Sequence, residues 1–247
     1  MKFDFKNKTI VVTGGTRGIG LAIVKLFQEY NAEIIATGTD FKELEKLNRV
    51  SNNGKTKYLY LDFRSTESIN SFLDYINKHN CIDVLINNAG VNKVDDITDI
   101  DNNDWEWINS VNLSGPFLIT KPISKIMKKR GYGRIVNISS VFGVVSKARR
   151  AAYSTTKWGI IGFTKAIALD LAPHNILVNS VSPGFVDTEL TRKILSDLEI
   201  KEIIGTVPQG RLANVDEIAR AIIFLCSENN SYITGQNIII DGGFTSA

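Results

Sequence analysis

The chain has very few of the residues that crosslink small proteins or bind metals. Its 247 residues include two cysteines, Cys81 and Cys226, which stand far apart in the sequence. This spacing excludes a disulfide scaffold and predicts free thiols in a reducing, cytoplasmic compartment. The histidines are also two, His79 and His174. A histidine-rich metal site is therefore excluded, and no metal is expected.

Long apolar runs and a large excess of one charge are missing too. No apolar stretch approaches the roughly 18 residues of a membrane-spanning helix. The start, MKFDFKNK, alternates charge where a signal peptide has an apolar segment. The 29 basic and 26 acidic residues leave a net charge of +3, which is too small and too dispersed to indicate a nucleic-acid or membrane partner.

What remains is the composition of a globular domain. Apolar residues make up 43% of the chain and charged residues 22%, both near the soluble average. No linker or low-complexity segment divides residues 1–247, so we predict one domain. Residues 184–210 depart from the alternation of short strands and helices in the rest of the chain, and they carry a weak helical pattern over Glu189–Ile204. An insertion of this length is typical of a substrate-binding loop, the alternative being a surface helical pair without a role.

Short β-rich runs alternate with amphipathic helical patterns along the chain. This alternation predicts βαβ units, and right-handed crossovers then favour a doubly wound parallel sheet with helices on both faces. The predicted strands are Thr9–Thr13, Glu33–Thr37, Lys57–Asp62, Val84–Asn87, Arg134–Ser139, Leu177–Ser182 and Asn237–Ile240. The predicted helices are Ile19–Tyr30, Phe41–Val50, Ser68–Lys78, Asp104–Lys129, Tyr153–Leu171 and Val215–Cys226.

A glycine-rich turn, TGGTRGIG, joins the first strand to the first helix. Gly14, Gly18 and Gly20 allow a tight turn and a close approach of the backbone to an anion. The helix that follows would present free N–H groups and its positive dipole end to a pyrophosphate. Because strand and helix flank the turn as this role requires, it indicates dinucleotide binding.

Small polar motifs follow several other strands. Asn88-Ala89-Gly90, Ser139-Ser140 and Pro183-Gly184 each stand where a predicted strand ends. Turns favour these residue types in any case. Ligands of open α/β sheets nevertheless bind at the carboxyl ends of the strands, where the strand order reverses, so all these motifs together predict a crevice there.

One tyrosine and one lysine are spaced for joint chemistry. Tyr153 and Lys157 stand at i and i+4 of a predicted helix, on one face. A phenol titrates near 10, and a nearby ammonium favours the phenolate, which would move the phenol's pKa toward the working pH for acid–base catalysis. The spacing alone carries little weight, but the pair opens the helix after the strand that ends near Ser140.

These motifs, in this order over essentially the whole chain, resemble the classical short-chain dehydrogenase/reductase family, and the pattern is most similar to its β-ketoacyl-acyl-carrier-protein reductases. The resemblance implies a Rossmann-type, seven-stranded parallel sheet of order 3-2-1-4-5-6-7. It also implies the catalytic set Asn112, Ser140, Tyr153 and Lys157. In the family, the serine thirteen residues before the tyrosine orients the substrate carbonyl. Strand alternation lets only one of Ser139 and Ser140 face the crevice, and we favour Ser140.

The family's mechanism gives each of these residues a role. Hydride passes from nicotinamide to the substrate carbonyl, Ser140 donates a hydrogen bond to the developing alkoxide, and Tyr153 supplies the proton. Lys157 holds the nicotinamide ribose and lowers the pKa of the tyrosine. Asn112 holds a helix bend and a water that links the lysine to solvent, although a polar residue there could merely satisfy a kink.

The end of the second strand bears on the choice of cofactor. Enzymes that select NAD usually carry an acidic residue there, whereas this chain has Gly38 followed by Thr39. Thr39 and Arg17 suit a 2′-phosphate, so NADP is favoured over NAD. Asp40 complicates this reading, but we interpret it as a helix N-cap. The resemblance implies this set of cofactor-binding residues: Gly14, Thr16, Arg17, Gly18, Ile19, Gly20, Thr39, Asp62, Phe63, Asn88, Ala89, Gly90, Tyr153, Lys157, Pro183, Gly184, Val186 and Thr188.

The substrate is less well determined. The resemblance favours a 3-oxoacyl thioester on an acyl carrier protein, which the basic groups Lys128–Arg130 and Lys147, Arg149 and Arg150 could dock, unless they are only a solvated face. His174 stands where carrier-docking reductases tend to have arginine. The Arg149-Arg150 pair could equally meet a sugar, a sugar acid or a nucleotide-sugar.

Two further expectations come from the resemblance. Some relatives bind a dinucleotide without turnover and act as sensors, but they typically lose the tyrosine or the lysine, and this chain keeps both. Classical members assemble as homotetramers through their long helices. Here these are Asp104–Lys129 and Tyr153–Leu171, the latter apolar on more than one face.

Overall fold

Seven parallel strands form one sheet in the order β3-β2-β1-β4-β5-β6-β7, as predicted. The computed structural model describes residues 3–51, 54–194 and 196–247. All pairings are parallel, and the order of the strands reverses at the first strand. There Ile10 pairs with Ile34 on one side and with Val84 on the other. The strands are β1 (Thr9–Val12), β2 (Glu33–Gly38), β3 (Thr56–Tyr60), β4 (Val84–Asn87), β5 (Gly133–Ile138), β6 (Ile176–Pro183) and β7 (Asn237–Ile240).

Two apolar cores cover the two faces of the sheet. Side chains of a strand alternate between faces, so Ile10 and Val12 enter one core and Val11 enters the other. Strands buried on both sides read as nearly continuous apolar sequence, and the central strands β1, β4 and β5 do so in TIVV, VLIN and GRIVNI.

Helices fill both layers, and several begin at a side-chain cap. Asp40 accepts hydrogen bonds from the backbone N–H groups of Lys42 and Glu43 at 2.9 and 3.2 Å, which confirms it as an N-cap. Within the described ranges, no helix combines the length and the apolarity needed to cross a bilayer. The helices are α1 (Gly18–Glu29), α2 (Phe41–Val50), α3 (Thr66–Ile76), α4 (Asn102–Asn109), α5 (Gly115–Arg130), α6 (Ala151–Leu171), α7 (Glu189–Ile194), α8 (Asp197–Thr206) and α9 (Val215–Cys226).

The predicted helix over Asp104–Lys129 is irregular at the place where the resemblance implied a bend, at Asn112. A π-helical turn, Ser110–Ser114, separates α4 from α5. Pro116 has no N–H to donate to the carbonyl four residues earlier, and the Gly115 N–H reaches the Ser110 carbonyl, five residues back. The wider turn faces the loop after β4.

The insertion after β6 contains two helices where the sequence showed one weak helical pattern. α7 ends at Ile194 and α8 starts at Asp197; residue 195, inside the predicted pattern, lies outside the described residues. Ser196 caps α8, since its hydroxyl accepts from the Glu199 N–H while the Glu199 carboxylate accepts from the Ser196 N–H.

Candidate active site

A cleft opens at the carboxyl ends of the strands, where the strand order reverses. The loops after β1, β4, β5 and β6 and the first turns of α6 supply its walls. Of the predicted site residues, these line it: Arg17, Gly18, Ile19, Asn88, Gly90, Ser140, Tyr153, Lys157, Pro183, Gly184, Val186 and Thr188. Five separate chain segments therefore converge on one space, as the predicted crevice requires.

The glycine-rich turn is held against the loop after β4. The Asn88 side-chain amide donates to the Thr13 and Gly14 carbonyls at 3.0 and 2.9 Å, and the Thr13 hydroxyl accepts from the Asn88 and Ala89 N–H groups. Arg17 starts α1 without a side-chain cap. The first N–H groups of α1 are thus left without an acceptor, which is the donor set a pyrophosphate needs.

Gly20 packs so closely on this turn that no side chain fits. A Cβ there would lie 2.1 Å from the Gly14 carbonyl oxygen, a backbone atom that cannot move aside. We expect Gly20→Ala to lower the free energy of unfolding by about 3 kcal/mol and to weaken cofactor binding. Urea unfolding measures the first effect and calorimetric titration the second.

Gly162 provides the matched control for this substitution. It lies in α6, and a Cβ there meets nothing within 4 Å, so Gly162→Ala should raise stability by about 0.5–1 kcal/mol through helix propensity. Equal unfolding midpoints for the two variants would contradict the tight packing of the turn.

The two adjacent serines after β5 point in different directions. The Ser139 hydroxyl donates to the Lys157 carbonyl at 2.8 Å and so ties β5 to α6. Ser140 accepts from the Phe142 N–H at 3.2 Å, and its hydroxyl is near enough to the Tyr153 phenol to lower the pKa of that phenol. Ser140 is therefore the serine that stands beside the phenol, while Ser139 is occupied in joining the elements.

Tyr153 projects from the first turn of α6 beside Phe142, whose ring centroid is 6.5 Å from its own. Burial raises the pKa of the phenol, and the Ser140 hydroxyl and the positive charge of Arg150 offset only part of that rise. Tyr153 is thus protonated at neutral pH, which suits a group that donates a proton.

Lys157 is almost fully buried below the tyrosine. Its Nζ donates to the Ile138 carbonyl at 2.9 Å and lies 5.5 Å from the centroid of the Tyr153 ring. Burial lowers the pKa of the Lys157 ammonium to about 8. Burial, Ser140 and Arg150 are what shift the pKa of the Tyr153 phenol here, so the lowering of that pKa by Lys157 stays a prediction.

Asn112 sits in the π-helical turn with its whole amide engaged. Its Oδ1 accepts from the Val91 N–H at 2.8 Å, and its Nδ2 donates to the Val91 carbonyl and the Thr156 hydroxyl at 2.9 and 3.2 Å. Asn112 thus fixes the loop after β4 to α6. It holds the helix irregularity in place, and it reaches the site through Val91, which lines the cleft.

Some predicted cofactor residues lie beside the cleft, not on its lining: Gly14, Thr16, Gly20, Thr39, Asp62, Phe63 and Ala89. Asp62 forms an ion pair with Arg64 at 2.7 Å, and this hydrogen-bonded pairing lowers the pKa of its carboxyl. Phe63 is buried in the core between sheet and helices. Its side chain is therefore unavailable to a ligand, and only its backbone remains for such a contact.

The end of β6 forms the opposite wall of the cleft. The Gly184 N–H bonds the Ile240 carbonyl at 2.8 Å, which holds the turn after Pro183 against β7. The Thr188 hydroxyl accepts from the Thr191 N–H at 3.1 Å and so starts α7. Its engagement there leaves only part of its bonding capacity for the nicotinamide carboxamide that the resemblance assigns to it.

Several cleft residues have no counterpart among the predicted ones. Phe142 and Phe185 form an aromatic wall, with ring centroids 6.0 Å apart. Asn92 lines the cleft, and so does Arg150, which the sequence had suggested only as part of a basic surface. An arginine three residues before the tyrosine was a usable signal, because i and i+3 share a helix face.

Matches with known proteins extend over the whole chain. The family described as enoyl-(acyl carrier protein) reductase matches residues 14–245. A 3-oxoacyl-acyl-carrier-protein reductase of Aquifex aeolicus is 40% identical over 250 residues, covering 98% of this chain and 99% of that protein. The Escherichia coli enzyme of the same name is 37% identical over 242 residues, covering 97% and 98%.

Solved structures agree with the sequence matches. A gluconate 5-dehydrogenase of Burkholderia cenocepacia, in complex with NADP and tartrate, superposes with a TM-score of 0.91 at 29% identity, covering 99% of this chain and 98% of that one. Since sequence and fold both match from end to end, the chain belongs to the short-chain dehydrogenase/reductase family and is an oxidoreductase acting on CH–OH or C=O groups.

Proposed function

We propose that the chain is an NADPH-dependent reductase of 3-oxoacyl thioesters, with acyl groups on an acyl carrier protein as substrates and fatty acid biosynthesis as its setting. The observation that carries this is the meeting of Ser140, Tyr153 and Lys157 in one cleft. Two relatives at 40% and 37% identity bear the name 3-oxoacyl-acyl-carrier-protein reductase. The raised pKa of the phenol supports reduction, because the donor is protonated at neutral pH.

In this reaction the cofactor supplies the hydride. The Ser140 hydroxyl donates a hydrogen bond to the carbonyl oxygen, which stabilises the charge that develops there. Tyr153 transfers its phenolic proton to the same oxygen. Lys157 would hold the ribose of the bound cofactor, and the apolar rings of Phe142 and Phe185 would exclude water from the reacting carbon.

Three features near the end of β2 support NADP over NAD. Gly38 stands where NAD enzymes carry an acidic side chain, and a Cβ there would lie 2.5 Å from Thr16 Cγ2, so a side chain fits only if Thr16 moves. The Asp40 carboxylate is engaged in capping α2. Arg17 and Thr39 are exposed beside it and suit a 2′-phosphate.

We expect Arg17→Ala to raise the KM for NADPH about tenfold and to change the KM for NADH less than twofold, because a charge-assisted bond to phosphate contributes about 1.5–3 kcal/mol. Steady-state kinetics with both cofactors measures this. Arg130→Ala is the control, because Arg130 is exposed at the end of α5, opposite the cleft, whereas Arg64 pairs with the candidate cofactor residue Asp62. An equal rise in the KM for NADPH and for NADH would contradict a contact with the 2′-phosphate. It would mean that Arg17 contacts the pyrophosphate, which both cofactors share, or that it stabilises the fold.

The basic groups differ in their suitability for docking a carrier. Lys128–Arg130 are exposed at the end of α5; because α5 leads into β5, they lie at the sheet edge opposite the cleft of the same chain. Lys147 and Arg149 are exposed beside the cleft and are the better candidates to meet an acidic carrier protein. Arg150 points inward, so it does not belong to such a surface.

We also propose a homotetramer and a cytoplasmic location. Phe117, Trp158 and Leu169 of α5 and α6 expose 49%, 53% and 79% of their surface, which is apolar area that a partner copy would cover. Light scattering tests the assembly. The free cysteines, Cys81 and Cys226, fit a reducing compartment.

The alternative function is a dehydrogenase of sugars, sugar acids or nucleotide-sugars. The Arg150 guanidinium in the cleft favours an anionic substrate, and the neighbour solved with NADP and tartrate is a gluconate 5-dehydrogenase. NADPH oxidation against a panel of 3-oxoacyl thioesters and keto-sugars separates the two functions. Binding of NADPH without oxidation by any member would favour a non-catalytic sensor.

A further inference from the structure

Two buried polar atoms without a partner line the cleft. Among the described residues, Nη1 of Arg150 and Oδ1 of Asn92 are buried side-chain atoms with no hydrogen-bond partner, and both residues line the space in front of Tyr153. Buried polar groups are almost always hydrogen-bonded. The unpaired Arg150 donor is the atom that an anionic ligand would pair, once that ligand draws the guanidinium toward the open part of the cleft.

The local backbone turns Arg150 toward the substrate side. Arg149 takes the left-handed conformation, with φ of +67°, which costs a residue with a side chain about 1 kcal/mol. Arg150 follows as the residue before α6, three positions before Tyr153, and both line the cleft. Its guanidinium carbon lies 5.5 Å from the centroid of Phe142, the ring that also contacts Tyr153.

No protein carboxylate neutralises this guanidinium. Across residues 3–51, 54–194 and 196–247, Arg150 forms no ion pair and its side chain makes no hydrogen bond, although Glu189 lines the same cleft. Burial lowers the pKa of Arg150, and only the more distant Glu199 and the Tyr153 phenol favour its charge. Arg150 is half-buried and has no carboxylate partner among the described residues of the cleft wall, so its natural complement is an anion.

The size and chemistry of that anion follow from its neighbours. A guanidinium binds a carboxylate with paired, charge-assisted hydrogen bonds. Because Arg150 and Tyr153 contact the same Phe142 ring, the anion and the reacting carbonyl belong to one small molecule. The phosphate of a carrier's prosthetic arm lies many bonds away from the carbonyl, so it does not meet this requirement.

We propose that Arg150 is the specificity-determining subsite that binds the carboxylate of a short oxo acid, whose carbonyl reacts at Tyr153. The inference rests on the proposed carbonyl reduction and adds free oxo acids to its substrates. In the reverse direction, the same subsite accepts the corresponding hydroxy acid.

Acetoacetate and its methyl ester test this subsite, because they share a carbon skeleton and differ in charge. NADPH oxidation is measured with both compounds for the wild type, Arg150→Gln and a control variant. We expect the wild type to prefer acetoacetate at least tenfold in kcat/KM. Arg150→Gln should lower kcat/KM about 100-fold for the acid and less than threefold for the ester. The control is Arg220→Gln, at an exposed arginine of α9 outside the cleft lining, and it is preferred to Arg149→Gln because Arg149 orients Arg150; it should change neither value.

A binding measurement decides the subsite independently of turnover. Protein saturated with NADPH is titrated with 3-hydroxybutyrate in a calorimeter, and Arg150→Gln should raise its Kd at least tenfold. Binding through Arg150 without reduction of any 3-oxo compound would leave the subsite standing and remove the proposed function. If the protein reduced the ester and the thioester while its kcat/KM for acetoacetate did not depend on Arg150, the subsite would be overturned and the proposed function would stand.

Discussion

Tyr153→Phe should lower kcat by about 10²–10⁴-fold, the range that general acid catalysis contributes, and leave the Kd for NADPH within about twofold. The substitution removes one oxygen and keeps the ring that packs against Phe142. The variant therefore retains the shape of the cleft and loses only the proton donor. Stopped-flow reduction and cofactor titration measure the two quantities.

Tyr232→Phe is the matched control for this change. Tyr232 exposes 94% of its surface and lies away from the cleft, so its phenol has no part in the reaction and turnover should be unchanged. A Tyr153→Phe enzyme with wild-type kcat would assign the proton to another group or to water.

Lys157→Met should abolish turnover and at the same time stabilise the fold. Burial shifts the pKa of the ammonium from 10.5 to about 8, which corresponds to about 3 kcal/mol of destabilisation when the group is charged. An unbranched methionine fills much of the same volume without the charge. Part of the gain is lost with the bond to the Ile138 carbonyl, so we expect a net gain of about 1–2 kcal/mol at pH 7.

The pH dependence of this difference has a definite sign. The folded state releases the lysine proton near pH 8 and the unfolded state near pH 10.5. Between these two pH values the unfolded state therefore binds more protons than the folded state. The wild type therefore gains stability as pH rises through that window, and the advantage of the variant shrinks. Lys165→Met is the control, since Lys165 is exposed on the same helix. A variant less stable than wild type at pH 7 would contradict the buried-charge account.

Sequence reasoning located the fold and the main site because these depend on local pattern. The apolar pattern and the flanking turn residues predicted the strands β4 and β7 with the bounds that the structure has. The predicted bounds of the helices α2 and α9 are also the observed ones. The glycine-rich turn and the strand-end motifs needed only the rule that parallel strands end at a common edge. Ser140, Tyr153 and Lys157 followed from the family pattern, and the structure brings them together.

The features that sequence reasoning missed depend on contacts between distant segments. The π-helical turn rests on Asn112 bonding to Val91, twenty-one residues earlier. The depressed pKa of Lys157 follows from burial by α6 and β5 together, which no spacing reveals. Arg150 reads as one of a run of surface charges until the left-handed Arg149 turns it inward.

The central claim is that a substrate carbonyl is reduced in this cleft with Tyr153 as its proton donor. The most direct test is the transfer of label from NADPH deuterated at its transferable hydride to a 3-oxoacyl thioester, followed by mass spectrometry of the alcohol. Wild-type protein should place one deuterium on the carbon that was the ketone, and Tyr153→Phe, although it binds NADPH, should produce almost none. Unlabelled alcohol, or equal labelling by both proteins, would contradict the account.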